Sequence, residues 1–208
     1  MAQSHTGLPA PRPLQQAREI ASQLSDTLDA RSVLVLGRDA KDIETAWSGT
    51  GSANVTTVSG DDVDDLFKGQ GRADIIHCGG VAGHIPESSA CVLVHALAMR
   101  TDYVVFSLAC LGDADTKASP REVERWRNIF AAHGYDAFDC FRPKLKADLR
   151  GDVLLFANLE AQMGMDPDLR GTALNKSRRV PHRGRVGARI RHYFSGFAAP
   201  KKWRKRAA

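Results

Sequence analysis

Arg31–Trp47 reads RSVLVLGRDAKDIETAW. Val33-Leu34-Val35-Leu36 is an unbroken branched apolar run, closed by Gly37 and followed by polar residues and then a helical pattern. A strand covered by helices on both faces loses the alternation of a half-exposed strand, so this run predicts a central parallel strand. In open α/β sheets ligands bind outside the carboxyl ends of such strands. The loop Gly37–Asp42 is therefore expected to form part of the wall of any small-molecule site.

The segments on either side agree with that reading. Leu14–Leu28 carries apolar residues at 14, 17, 20, 21, 24 and 28, one face of a helix. Ile43–Trp47 starts a short helix that Gly49-Thr50-Gly51 breaks. Asn54–Val58 is β-branched and reads as a strand, and Asp61, Asp62, Asp64 and Asp65 crowd the start of a short helix after it. Ala73–Cys78 is the next strand, closed by Gly79-Gly80. Ser88–Met99 is a buried helix and Tyr103–Ala109 a further strand. Ser119-Pro120-Arg121-Glu122 is a capping box with Pro at the first helical position, and its helix ends at His133-Gly134. Tyr135–Phe141 and Asp152–Asn158 follow as consecutive strands, which suits an antiparallel pair at one edge. The expected fold is a doubly wound, Rossmann-like three-layer α/β sandwich with a mostly parallel sheet. The expected division is a disordered 1–13, an α/β domain over 14–160 and a basic tail over 161–208.

Composition narrows the function classes. The 208 residues are 43% hydrophobic and 25% charged, ordinary for a globular protein. No apolar run is long enough to span a bilayer, and MAQSHTGLPAPRP has no signal-peptide pattern. A cytoplasmic location is expected, with peripheral membrane association left open by the tail. Cys78, Cys91, Cys110 and Cys140 form no C-x-x-C pair, so buried thiols are expected and no metal site. The net charge of +5 conceals two regions: from Lys176 onward there are 12 Lys and Arg and no acid, leaving 17 basic against 24 acidic residues before it. Ile190, Tyr193, Phe194, Phe197 and Trp203 are interleaved with those charges. That mixture suits an anionic membrane surface or a nucleic acid, and equally a merely solubilising tail.

Several stretches in this order resemble class I S-adenosylmethionine-dependent methyltransferases. Val33–Gly37 is similar to that family's first strand and the opening of its glycine motif. Ala73-Asp74-Ile75-Ile76-His77-Cys78 followed by Val81–Pro86 resembles its later strand and "E-H-hydrophobic" segment, and Tyr103–Ser107 the next strand. Trp126–Tyr135 looks like its late "W…F…G-Y" passage, continued by Phe141-Arg142-Pro143 and Leu154-Leu155-Phe156. The resemblance covers Leu14–Leu159. It implies S-adenosylmethionine as cofactor and methyl transfer to a small metabolite or a saccharide. The sequence departs from the family in three places. The first loop keeps one glycine, Gly37, beside Arg38–Asp42; Ser59-Gly60 stand where an acid usually holds the ribose; and residues 59–72 are too few for a further helix and strand.

Each candidate site residue has two readings. Gly37 is the closest backbone approach to the cofactor, or a glycine ending a strand. Asp39 and Asp42 bind the cofactor's amino group, or complement a helix dipole. Asp61 and Asp62 hold the ribose, or form a solvated acidic turn. Cys78, Gly79 and Gly80 leave room for a ligand, or make a tight turn. His84 is the candidate catalytic base or substrate contact, or has no such role, since methyl transfer often needs only in-line positioning. His77, His95, Trp126, Phe130 and Tyr135 are expected in packing. The competing function is a non-catalytic member of the fold that binds an anionic partner through its basic tail.

Overall fold

The computed structural model describes residues 12–51, 54–58, 71–82, 85, 87–110, 118–141 and 153–174. The chain divides into two units, Met1–Lys176 and Ser177–Ala208, and every described residue lies in the first. The elements run α1 (Arg12–Thr27), β1 (Ser32–Gly37), α2 (Ala40–Thr50), β2 (Asn54–Val58), β3 (Ile75–Gly79) and α3 (Glu87–Ala98). They continue with β4 (Tyr103–Ser107), α4 (Pro120–Ala132), β5 (Tyr135–Phe138), β6 (Val153–Asn158), α5 (Leu159–Gly164) and α6 (Pro167–Gly171).

The described strands form one six-stranded sheet in the order β2-β1-β3-β4-β6-β5. β2, β1, β3 and β4 pair in parallel, while β6 lies antiparallel between β4 and β5. This is the expected Rossmann-like sandwich with its antiparallel strand pair. Successive residues of β1 feed opposite cores, because strand side chains alternate and both faces are covered. Val33 and Val35 join Ala17, Ile20, Leu24, Ile43 and Trp47 from α1 and α2 on one face. Leu34 and Leu36 join Leu93, Leu97, Trp126 and Phe130 from α3 and α4 on the other. Phe106 centres the second core, 4.7 Å from Trp126 and 5.3 Å from Phe130, and Phe130 stacks on Phe156 at 3.8 Å. Trp126, Phe130 and Tyr135 are thus core aromatics, as expected.

Several boundaries differ from the sequence reading: α1 begins at Arg12, inside the stretch expected to be disordered, β3 runs Ile75–Gly79, and β5 ends at Phe138. Helix α2 begins at Ala40, so Arg38 and Asp39 alone connect it to β1, and Lys41 and Asp42 are helical rather than loop. Residues 161–174, assigned above to the tail, contribute most of α5 and all of α6. Met165 and Leu169 are buried in the first core. Asp166 starts α6 by accepting a hydrogen bond from the Asp168 N–H at 2.7 Å, and Pro167 follows it. Residues 172–174 then run along β5, where Ala173 bridges Phe138. The domain therefore extends well past 160.

Polar staples gather at the end of the sheet where the parallel strands begin and β6 ends. One Asp74 carboxylate oxygen accepts from the Arg31 N–H and the Ser32 N–H at 2.9 Å each, tying β1 to β3. Asp102 pairs with Arg72 at 2.9 Å and accepts from the Asn158 amide at 2.6 Å, tying β4 to β6. The Tyr135 hydroxyl donates to the Thr101 carbonyl. That end of the sheet is thereby fastened by side chains, leaving the opposite end to be organised by its turns.

Candidate functional site

The strand order reverses between β1 and β3. From β1 the chain moves outward to β2, and from β3 it moves the opposite way to β4. That crevice is the topological switch point where open α/β sheets place ligands. Gly37 and Gly79 face each other across it in register.

Gly37 has φ +99°, a conformation that residues with a Cβ rarely adopt. A Cβ built on it would lie 2.1 Å from the Gly79 carbonyl oxygen and 2.5 Å from Val81 Cγ2. The close approach at Gly37 is therefore made by the chain's own β3 turn. The strand-ending reading of this glycine accounts for it without a ligand.

Asp39 occupies the rest of the crevice. It is the residue before α2, yet its carboxylate makes no capping hydrogen bond to the helix. The side chain turns instead over Gly79 and Gly80. Their ideal Cβ positions lie 3.3 and 3.2 Å from Asp39 Oδ2, and that of Gly79 also lies 2.4 Å from Ile43 Cδ1. Gly79 and Gly80 are thus small because Asp39 and Ile43 fill the space beside them. Cys110, just beyond β4, closes the other side, its sulfur 3.0 Å from the Gly80 Cβ position. Asp42 lies in the first turn of α2, where its charge complements the helix dipole.

Cys78 points away from the crevice. Its side chain is fully buried in the α3–α4 core, and burial pushes the thiol well above its usual range. Its thiol is thus packed in that core rather than lining the crevice. None of the four cysteines forms a disulfide; Cys78 and Cys140 are buried, whereas Cys91 and Cys110 are half-buried. Among the described residues no cluster of metal-ligating side chains occurs. His84, Asp61 and Asp62 lie outside the described residues.

The sequence reading missed one polar contact beneath the crevice. The Trp47 indole N–H donates to His77 Nδ1 at 3.1 Å, with both side chains fully buried. The rings meet edge-on, with centroids 6.5 Å apart and planes at 89°. Burial depresses the His77 pKa to about 3, so the ring is neutral. His95 packs in a different place, its ring 5.8 Å from that of His133, and burial followed by the His133 charge lowers its pKa.

A cofactor can be tested against these atoms. S-adenosylmethionine carries an ammonium and a sulfonium, and Asp39 presents a carboxylate at the switch point to pair with either. The Gly37 turn offers no open cradle, because Gly79 and Val81 fill it. The residues present fit the cofactor's cationic groups only outside the Asp39 carboxylate or in place of it.

No protein-family description matches the chain, and no curated protein matches it. Solved structures do resemble it. Over 78% of this chain and 44% of the other it is similar to EvdMO1, at 14% identity and a TM-score of 0.41. Over 70% of this chain and 83% of the other it is similar to magnesium protoporphyrin IX methyltransferase (ChlM) from Synechocystis PCC 6803 with bound SAH, at 13% identity and a TM-score of 0.40. An O-methyltransferase family protein from Burkholderia thailandensis matches over 69% of this chain and 55% of the other, at 11% identity and a TM-score of 0.42. The chain thus spans less than half the length of EvdMO1. At these scores the likeness carries no weight on ligand or chemistry.

Proposed function

We propose that this chain is an S-adenosylmethionine-dependent methyltransferase of reduced form that acts on a small metabolite or a saccharide. The observation that carries the reading is the Asp39 carboxylate, held over Gly79-Gly80 at the switch point between β1 and β3. In that position it is an anionic group suited to the cofactor's ammonium. Asp61 or Asp62 would hold the ribose hydroxyls, and His84 would take the proton from an accepting hydroxyl or amine. The cofactor supplies the methyl group. In-line methyl transfer asks mainly for positioning, so a site with few polar groups suffices. The sequence resemblance over Leu14–Leu159 supports the same reading.

Calorimetric titration of the full chain with S-adenosylmethionine, in parallel with Asp39→Asn, tests it. Native protein binds, and the neutral variant binds about tenfold more weakly, the loss of one charge-assisted hydrogen bond. Equal affinity for both proteins removes Asp39 from the site.

A second reading is favoured by the filling of the crevice by Asp39 and Ile43. On it the fold is a non-catalytic scaffold, and the basic residues after Lys176 bind an anionic membrane surface or a nucleic acid. Deleting residues 176–208 then abolishes salt-sensitive binding to anionic vesicles or RNA. Binding unchanged by the deletion counts against it.

A further inference from the structure

The Trp47–His77 hydrogen bond has a chemical condition attached. An indole nitrogen can only donate, so His77 Nδ1 must accept and cannot carry a proton. The single proton of the neutral ring is therefore on Nε2. That N–H is buried and has no partner among the described residues. An imidazolium has protons on both nitrogens and cannot accept from Trp47 at all. The contact exists only while His77 is neutral.

Its position gives it leverage on the crevice. Ala40, Ile43 and Trp47 lie on one buried stripe of α2, at the i, i+3, i+7 spacing of a helix face. At one end of the stripe Ile43 and neighbouring Asp39 pack on Gly79, the last residue of β3. Toward the other end Trp47 is tied to His77, two residues earlier on the same strand. Helix α2 is thus fixed to β3 at two points, one apolar and one a proton-dependent hydrogen bond.

We infer that His77 is a positioning residue, whose neutral ring holds α2 on β3 and so sets Asp39 over Gly79-Gly80, and that protonating His77 releases this hold. Among the described residues no charged group bears on His77. The titratable residues on the elements packed about β3 are Arg12, Arg18, Glu19 and Asp26 of α1, Lys41, Asp42 and Glu44 of α2, Glu87, Cys91 and His95 of α3, and Tyr103 of β4; β1 carries none. None of them contributes to the state of His77, which burial alone determines. Its relevance to methyl transfer rests on the function proposed above; the latch itself does not.

The test uses ¹⁵N-labelled full-length protein, with the Trp47 indole resonance identified by its loss in Trp47→Phe. In acid the native indole signal shifts away from its hydrogen-bonded position before global unfolding, and α2 amides exchange about tenfold faster while those of α4 do not change. His77→Gln keeps a carbonyl acceptor, so its indole signal is hydrogen-bonded and insensitive to acid. His77→Leu loses the signal shift and the α2 protection at neutral pH. S-adenosylhomocysteine affinity falls in His77→Leu and recovers in His77→Gln. An indole signal that ignores acid in the native chain, or α2 exchange that rises only together with α4, overturns the latch. If His77→Leu does not fold, the acid titration and the Gln variant still decide. If native protein binds no S-adenosylhomocysteine, the methyltransferase reading fails while the indole and exchange data still judge the latch.

Discussion

Replacing Gly37 with alanine separates a glycine kept for packing from one kept for a ligand. The new Cβ would sit 2.1 Å from a backbone carbonyl oxygen and 2.5 Å from a valine methyl, far inside contact distance. The carbonyl belongs to Gly79, paired in register within the sheet, so it cannot step aside without disturbing the β1–β3 ladder. The residue would also keep φ near +99°, in a region unfavourable to alanine. Backbone strain of about 1–3 kcal/mol and overpacking of about 1–3 kcal/mol together predict a loss of roughly 2–6 kcal/mol. Against a typical total of about 5–15 kcal/mol, the loss should be plain in a urea melt followed by far-ultraviolet circular dichroism, with no ligand present. Gly49→Ala is the matched control. Gly49 lies in α2 with nothing within 4 Å of its Cβ position, so alanine there should stabilise by up to about 1 kcal/mol. An unchanged urea midpoint for Gly37→Ala, accompanied by weaker S-adenosylhomocysteine binding, would refute the packing account and return Gly37 to the ligand.

Acid should destabilise the domain through His77. Its folded pKa of about 3 lies below the ordinary 6.5, so the unfolded chain binds the extra proton. Stability is full above about pH 6.5 and falls by about 1.4 kcal/mol per unit as pH drops toward 3. His95, lowered by burial and by His133, acts in the same direction. Urea midpoints between pH 7 and pH 5 check this, and His77→Gln should flatten the slope. The capping box of α4 is formed in both directions, with Ser119 Oγ accepting from the Glu122 N–H at 3.2 Å and Glu122 accepting from the Ser119 N–H at 2.8 Å. Ser119→Ala should therefore cost about 1 kcal/mol of stability by chemical denaturation. Tyr135→Phe removes the hydroxyl that satisfies the Thr101 carbonyl and should cost about 1–2 kcal/mol, with no change in ligand binding.

The sheet was legible in the sequence because its physics is local. Val33–Leu36 and Val104–Phe106 are apolar runs, and Ile75–Cys78 is apolar but for His77; their lack of alternation records burial on both faces. The capping box of α4 was legible for a similar reason, since four consecutive residues hold all its donors and acceptors. The end of the domain was misplaced although a local signal existed. Asp166-Pro167 is a helix start, and Met165 and Leu169 are one helical turn apart. The uniformly basic run starts only at Lys176, and the sequence reading groups 161–175 with it.

The crevice was harder to read because its contacts join distant residues. Arg38–Asp42 looks like a polar loop, and only the structure reveals that α2 starts at Ala40 and swings Asp39 over Gly79. Gly37 and Gly79 were each visible as glycines, but their reason is mutual. Trp47 and His77 are 30 positions apart, and neither residue alone announces a hydrogen bond. The face that Cys78 takes follows from strand alternation, which sets it on the side of Leu36 and Phe106.

The central claim is that the β1–β3 switch point, with Asp39 at its mouth, takes the cofactor. Amide chemical-shift mapping with S-adenosylhomocysteine measures this directly. The account predicts that shifts concentrate at Arg38–Ala40 and Gly79–Ala82 while Ser119–Glu122 stays unmoved. No shifts at about 1 mM ligand, beyond the weakest useful affinity, or shifts confined to other residues, would contradict it.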